Sequence, residues 1–184
     1  MPPTAFLKGK RISLRALSET DADGPYIGWF NDTEVCRGNS HHVFPYTRAA
    51  ALEYIRSAAQ VRTSLILAIV LNDDQHHIGN IALQDIHPLH RTAELSLVIG
   101  ERDQWGKGLA GEASQLIVAH GFNELNLRRI ACGTFGSNVA MQKLALRLGM
   151  KEEGRRRAAV FKSGICEDVI EYGLLREEFN ESIK

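Results

Sequence analysis

An α+β fold built on one mixed, mostly antiparallel sheet of six to seven strands, flanked by helices, is predicted by three observations. Period-two alternation or short apolar runs mark the extended segments. Two stretches of helical spacing separate the later strands. The strand–helix–strand order over residues 92–134 requires a locally parallel pair, because a crossover helix returns the chain to the same sheet edge.

Each element has a local reason. Residues 11–17 alternate apolar and polar side chains and read as the first strand. Ser18, with Asp21 three positions later, opens a helical stretch through Tyr26, Ile27, Trp29 and Phe30 that Gly24, Pro25 and Gly28 keep short or broken. Residues 37–46 form a loop. Thr47 caps a cleaner helix whose buried stripe is Ala51, Leu52, Ile55, Ala58 and Ala59. A three-strand meander follows over 64–71, 78–86 and 92–99, with turns at 72–75 and 87–91. A helix over 110–122, a strand over 129–134 and a short helix over 139–148 come next, the last closed by Gly149 in a conformation glycine tolerates. Strands over 155–161 and 169–175, joined at 162–164, complete a single domain of residues 1–184.

Composition excludes several classes of function. Lys and Arg total 22, as do Asp and Glu, so neither a basic nucleic-acid clamp nor an acidic tail is expected. Three scattered cysteines, Cys36, Cys132 and Cys166, include no CxxC pair and predict reduced thiols rather than a disulfide framework. The longest apolar run, Leu65 to Leu71, is far below the roughly 20 residues of a membrane helix. With no signal-peptide pattern at the start, a cytoplasmic protein without membrane or direct nucleic-acid partners is expected. His41-His42, His76-His77 and His87-x-x-His90 read as surface or substrate-edge residues in polar loops, and no metal site is expected. Trp29 and Phe30 either cover an acceptor cleft or pack in the core. Arg155-Arg156-Arg157 reads as a solvated rim.

The central signal is Trp105-Gly106-Lys107-Gly108-Leu109-Ala110-Gly111, between a strand and a helix. Each glycine costs about 0.5–1 kcal/mol in a helical setting relative to alanine. What three of them supply is close access to main-chain amides, next to the positive end of a helix and the charge of Lys107. The predicted ligand is a phosphate or pyrophosphate. No GxxxxGK[ST] is present, and the GxGxxG match falls after an antiparallel meander in mid-chain, where a dinucleotide fold would not place it.

Residues 92–149 resemble the cofactor-binding core of the GNAT N-acetyltransferases. The similarity is greatest to the branch that includes ribosomal-protein-alanine acetyltransferases and enzymes of small amines. That branch commonly writes its pyrophosphate loop Trp-Gly-Lys-Gly-Tyr-Ala, against Trp105-Gly106-Lys107-Gly108-Leu109-Ala110 here. Ala93-Glu94-Leu95, Ser137-Asn138, Leu148-Gly149-Met150, Asp168 and Tyr172 also fit. The resemblance implies a V-shaped split between two parallel central strands, residues 92–99 and 129–134, that takes acetyl-CoA. It further implies a bulge in the first of these strands, and pairing of the pantetheine arm with Leu97, Val98 and Ile99. An amide near Val98 would polarise the thioester carbonyl, the amides of Gly106 to Gly111 would hold the pyrophosphate, and Asn138 would contact the arm.

Transfer in this family is direct, so the acceptor ammonium must first lose a proton. Glu94 is the first candidate for that base, since a carboxylate in an otherwise apolar central strand is costly unless paired or functional; Asp85 and His87 are reserves. The family's usual acid positions hold Ala145 and Met141, which leaves Tyr172, a water or no acid at all. The expected activity is acetyl transfer to a primary amine (a protein N-terminus, a polyamine, an amino sugar or another small amine), with a homodimer possible. The alternatives are a non-catalytic CoA-binding or regulatory module and a nicotinamide-dependent oxidoreductase.

Overall fold

The computed structural model describes residues 4–179. Eight strands form one sheet in the order β1-β2-β3-β4-β5-β6-β8-β7. They are β1 (Ala5–Lys8), β2 (Ile12–Ala16), β3 (Leu65–Leu71), β4 (His77–His87), β5 (Thr92–Ile99), β6 (Arg129–Phe135), β7 (Lys151–Lys162) and β8 (Ile165–Leu175). The expected six to seven strands are therefore one or two short. β1 is a four-residue edge strand with no fully buried side chain, and so carries no strong apolar alternation. Every neighbouring pair is antiparallel except β5 and β6, the parallel pair that the strand–helix–strand order requires.

Four helices cover the sheet: α1 (Tyr26–Phe30), α2 (Arg48–Ala58), α3 (Leu109–Asn123) and α4 (Val139–Arg147). Thr47 caps α2 by accepting from the Ala50 amide, and Asn138 caps α4 by accepting from the Met141 amide. α3 lays Leu109, Ala113, Ile117 and Phe122 against Ile12, Leu14, Ile81 and Leu95 in the main core. α1 and α2 build a second core, where Tyr26, Trp29, Phe30 and Ile55 are buried. Trp29 and Phe30 are thus core residues.

A buried ion pair ties the second core to the sheet. Arg15 donates to both oxygens of Asp21 at 2.9 and 2.7 Å, and the Ser18 amide donates to the same carboxylate at 2.8 Å. His77, expected in a polar loop at the surface, is instead buried at the start of β4. Its Nδ1 lies 3.4 Å from Asp21 and its Nε2 2.8 Å from Asn80 Oδ1, a polar set that a sequence pattern cannot assemble. Burial acts to raise the Asp21 pKa. The Arg15 guanidinium, His77 and the Ser18 amide outweigh it and hold the carboxyl far below the ordinary range. A depressed pKa in the folded state contributes stability above the unfolded value near 4 that is lost as pH falls toward the folded one. Asp21→Asn should therefore destabilise the protein by about 3–5 kcal/mol at pH 7 by leaving Arg15 buried without its counter-charge. Urea unfolding at pH 7 and at pH 3 checks this: the gap to the unsubstituted protein should narrow at the lower pH.

Candidate active site

β5 and β6 pair only through Thr92–Arg129, Ala93–Ile130 and Glu94–Ala131. β5 then continues along β4 as far as Ile99, while β6 continues along β8 as far as Phe135. The two strands therefore part after Glu94, and a cavity of about 680 Å³ opens between them. Its walls include Leu97, Val98 and Ile99 of β5, Thr134 of β6, and Asn138 and Met141 of α4.

The main chain of β5 is ordered by its ladder with β4. Gly100 donates to the Ile78 carbonyl at 2.9 Å, and the two-residue alternation then turns the peptide groups of Val98 and Ser96 toward β4. Those of Leu97 and Ile99 turn toward the gap. The expected bulge in β5 is absent. The register shift lies in β4, between Gln84 and His87, where Asp85 adopts a φ of 49°. Backbone groups are freed in β5 by divergence from β6, without a bulge of its own.

At the open end of the gap the chain makes a short 310 turn over Arg102–Gln104 and enters the glycine loop. Gly106 and Gly108 have φ of 73° and 78°, the left-handed region in which a Cβ is disfavoured by about 1–2 kcal/mol. Gly108 is the N-cap of α3, and the first intrahelical donor is Glu112, bonded to the Gly108 carbonyl at 3.2 Å. Among the described residues no acceptor meets the amides of Gly106, Lys107, Gly108, Leu109, Ala110 or Gly111. Six free donors at the positive end of a fifteen-residue helix suit an anion. The Lys107 ammonium rests 3.1 Å from Gln104 Oε1. Trp105 donates its indole N–H to the Ile99 carbonyl at 2.8 Å, pinning the loop to the end of β5.

Side chains on β5 alternate as the spacing predicts. Ala93, Leu95, Leu97 and Ile99 pack into the main core, and Glu94, Ser96 and Val98 occupy the other face. Glu94 is exposed to solvent, so the expected desolvation cost is not what singles it out. Its position is more telling: it is the last β5 residue paired with β6, at the fork itself, and it lines the cavity. Asn138 spends its side chain on structure, with Oδ1 on the α4 cap and Nδ2 3.2 Å from the Gly38 carbonyl. This draws residues 37–40 over the far wall. Tyr172 is buried on the core side, where desolvation pushes its hydroxyl pKa up, and it does not line the cavity. Burial likewise pushes the Cys132 thiol up, to about 12, which leaves it a small core side chain. Arg155 and Arg156 are exposed and pair with Asp168 and Glu171, as a solvated rim would. No group of three His, Cys, Asp or Glu side chains among the described residues is placed to hold a metal ion. No helix there is long and apolar enough to cross a membrane.

A split parallel pair with a free amide loop at its open end is the arrangement in which comparison with known proteins becomes decisive. Residues 11–151 match the family model of the acetyltransferase (GNAT) domain. The chain belongs to the GNAT family. This GNAT protein is 27% identical over 173 residues to the uncharacterized N-acetyltransferase YoaA of Bacillus subtilis, covering 93% of this chain and 97% of YoaA. It is 30% identical over 101 residues, 55% of each chain, to the putative ribosomal N-acetyltransferase YdaF of the same organism. In fold it superposes on the spermidine N-acetyltransferase of Vibrio cholerae solved with CoA and spermine. The TM-score is 0.82 at 22% identity, over 92% of this chain and 98% of that one. The protein is an acetyltransferase that uses acetyl-CoA to acetylate an amine. The cavity fits that donor: the loop offers unbonded amides, a Cβ is missing where the backbone must be approached, and the gap between β5 and β6 has room for an extended arm.

Sequence reasoning missed part of the cavity. Glu34 and Gly38 line it, yet they lie in a segment without a motif and reach the cavity only through the fold.

Proposed function

We propose that the acetyl acceptor is a primary amine that approaches from the Glu94 face of β5 and reacts by direct attack while acetyl-CoA is held in the gap. The observation that carries this reading is the place of Glu94 at the fork, exposed, with Ser96 and Val98 beside it on the face away from α3. Acetyl-CoA supplies an activated acyl group as a thioester. The amides of residues 106–111 hold its pyrophosphate, with Trp105 fixing the loop and Lys107 adding positive charge. Leu97 and Ile99 offer main-chain groups to the pantetheine arm, Val98 contributes side-chain wall, and Asn138 borders the arm from α4. Glu94 removes a proton from the bound ammonium, directly or through one water, because only the neutral amine carries a nucleophilic lone pair. Its attack forms the C–N bond as the C–S bond breaks, and CoA leaves as a thiolate that takes up, through water, the proton the new amide nitrogen sheds.

Both small amines and a protein α-amine are compatible with this approach. The relatives' names include a spermidine enzyme and a ribosomal one. The test is a panel of polyamines, amino sugars and N-terminal peptides assayed with acetyl-CoA, followed by Glu94→Gln on the best acceptor. General-base loss should lower kcat at least about a hundredfold, with the acetyl-CoA Kd unchanged by calorimetry. An unchanged kcat in the variant would remove Glu94 from the reaction. Acetyl-CoA binding without transfer to any amine would favour a regulatory module.

A further inference from the structure

We propose that Arg11, at the entry to β2, is a positioning residue for the pyrophosphate cradle, holding the Lys107–Gly108 peptide in the orientation that aims the Gly108 amide at the anion. The inference rests on the reading of the glycine loop as the pyrophosphate site.

The contacts are made across the fold. Arg11 Nη1 donates to the Lys107 carbonyl at 2.8 Å, and Nε donates to Glu112 Oε2 at 2.9 Å. The Arg11 amide donates to Glu112 Oε1 at 2.8 Å, and the Ile12 amide reaches the same oxygen at 3.4 Å. Glu112 stands in the first turn of α3, so one arginine grips both the helix and the loop that precedes it. The β1–β2 turn is shaped to admit this carboxylate: a Cβ on Gly9 would stand 2.5 Å from Glu112 Oε1.

The carbonyl of Lys107 and the N–H of Gly108 belong to one planar trans peptide and point in opposite directions. Fixing the carbonyl on Arg11 therefore fixes the amide on the other side. Without that bond the peptide is free to turn, because Gly106 and Gly108, on either side of Lys107, have no side chain to resist rotation. Turned over, it would present a carbonyl oxygen to a diphosphate in place of a donor. Glu112 poses a second problem for an anion site, since its negative charge lies beside the cradle. The guanidinium and two amides take up that charge and hold the carboxylate below its usual pKa against the effect of burial. Arg11 thus turns an unfavourable neighbour into an anchor.

The experiment measures Kd for acetyl-CoA by calorimetry and for acetylpantetheine, which lacks the pyrophosphate, by ligand-observed NMR. Arg11→Met and Glu112→Gln should each raise the acetyl-CoA Kd about tenfold, the scale of one lost charge-assisted hydrogen bond. The double variant should be little worse than either single one, because both act through one unit. Acetylpantetheine should bind all forms alike. Glu112→Gln is the sharpest arm, since removing a negative charge beside an anion site would strengthen binding unless the carboxylate works by holding Arg11. Wild-type affinity in either single variant, equal losses for both ligands, or full rescue by Arg11→Lys would overturn the inference. A wild-type protein that binds acetylpantetheine and acetyl-CoA equally well would overturn instead the pyrophosphate reading beneath it.

Discussion

Gly108→Glu is expected to abolish acetyl-CoA binding while leaving the fold intact. The residue sits at a φ of 78°, so any side chain adds about 1–2 kcal/mol of backbone strain in the bound geometry. The larger effect is charge. A carboxylate placed about 4 Å from a phosphate repels it by about 4 kcal/mol at the effective dielectric of a protein surface. Together these correspond to a Kd raised about a thousandfold or more. An added Cβ would stand 3.6 Å from Arg11 Nη2, so the new carboxylate would also compete for the arginine. Because the loop is exposed, the melting temperature without ligand should fall only by the few degrees that this strain corresponds to. Gly108→Ala separates the two effects, since it retains the strain without the charge and should cost about thirtyfold at most. Calorimetric titration of both variants decides the matter. Near-native affinity in the glutamate variant would mean that the diphosphate lies elsewhere.

The second large effect is structural. A Cβ on Gly100 would fall 1.9 Å from Cδ2 and 2.1 Å from Cγ of Trp29, inside the indole ring. That indole is 4% exposed, donates to Glu101 at 2.8 Å, and meets Tyr26 and His77 edge-on. Moving it would break that hydrogen bond and those ring contacts. Gly100→Ala should therefore expel Trp29 and undock α1, at a cost of about 3–5 kcal/mol, comparable to deleting a buried tryptophan. For a domain of this size the melting temperature should fall by roughly 10 °C. Gly100→Ala combined with Trp29→Leu should recover part of the loss by making room for the methyl group. Calorimetry on the single and double variants checks both statements; a single variant melting within a degree or two of the parent would refute the clash. Since α1 leads into residues 34–40 of the cavity wall, the single variant should also impair acceptor use more than acetyl-CoA binding.

What the sequence made legible was governed by local chemistry. The α3 boundaries could be read within a residue because three glycines precede a helical stripe, and Gly149 announced its positive φ of 87° by following a run with no other stop. β1 stayed hidden because four half-exposed edge residues need only weak patterning. β7 extends to Lys151, beyond the expected start at residue 155, since an exposed edge strand can be built from charged side chains. The buried His77 was invisible for a different reason: its partner Asp21 lies 56 positions earlier and meets it only after the sheet has formed. The same holds for the contact of Arg11 with Glu112, 101 residues apart. Motif reading singled out the glycine loop; Arg11, whose side chain bonds the Lys107 carbonyl within it, comes from near the start of the chain.

The narrow join between β5 and β6 has a thermodynamic corollary. Among the described residues, β5 and β6 pair through three residue pairs, with the Arg91 carbonyl adding contacts at their start. A donor molecule bound across that seam, as proposed above, would brace both halves of the sheet, so conformational stability and donor supply would be linked quantities. At a free concentration one hundred times Kd, such a ligand adds about 2.7 kcal/mol to the folded state. The melting temperature should therefore rise with donor concentration.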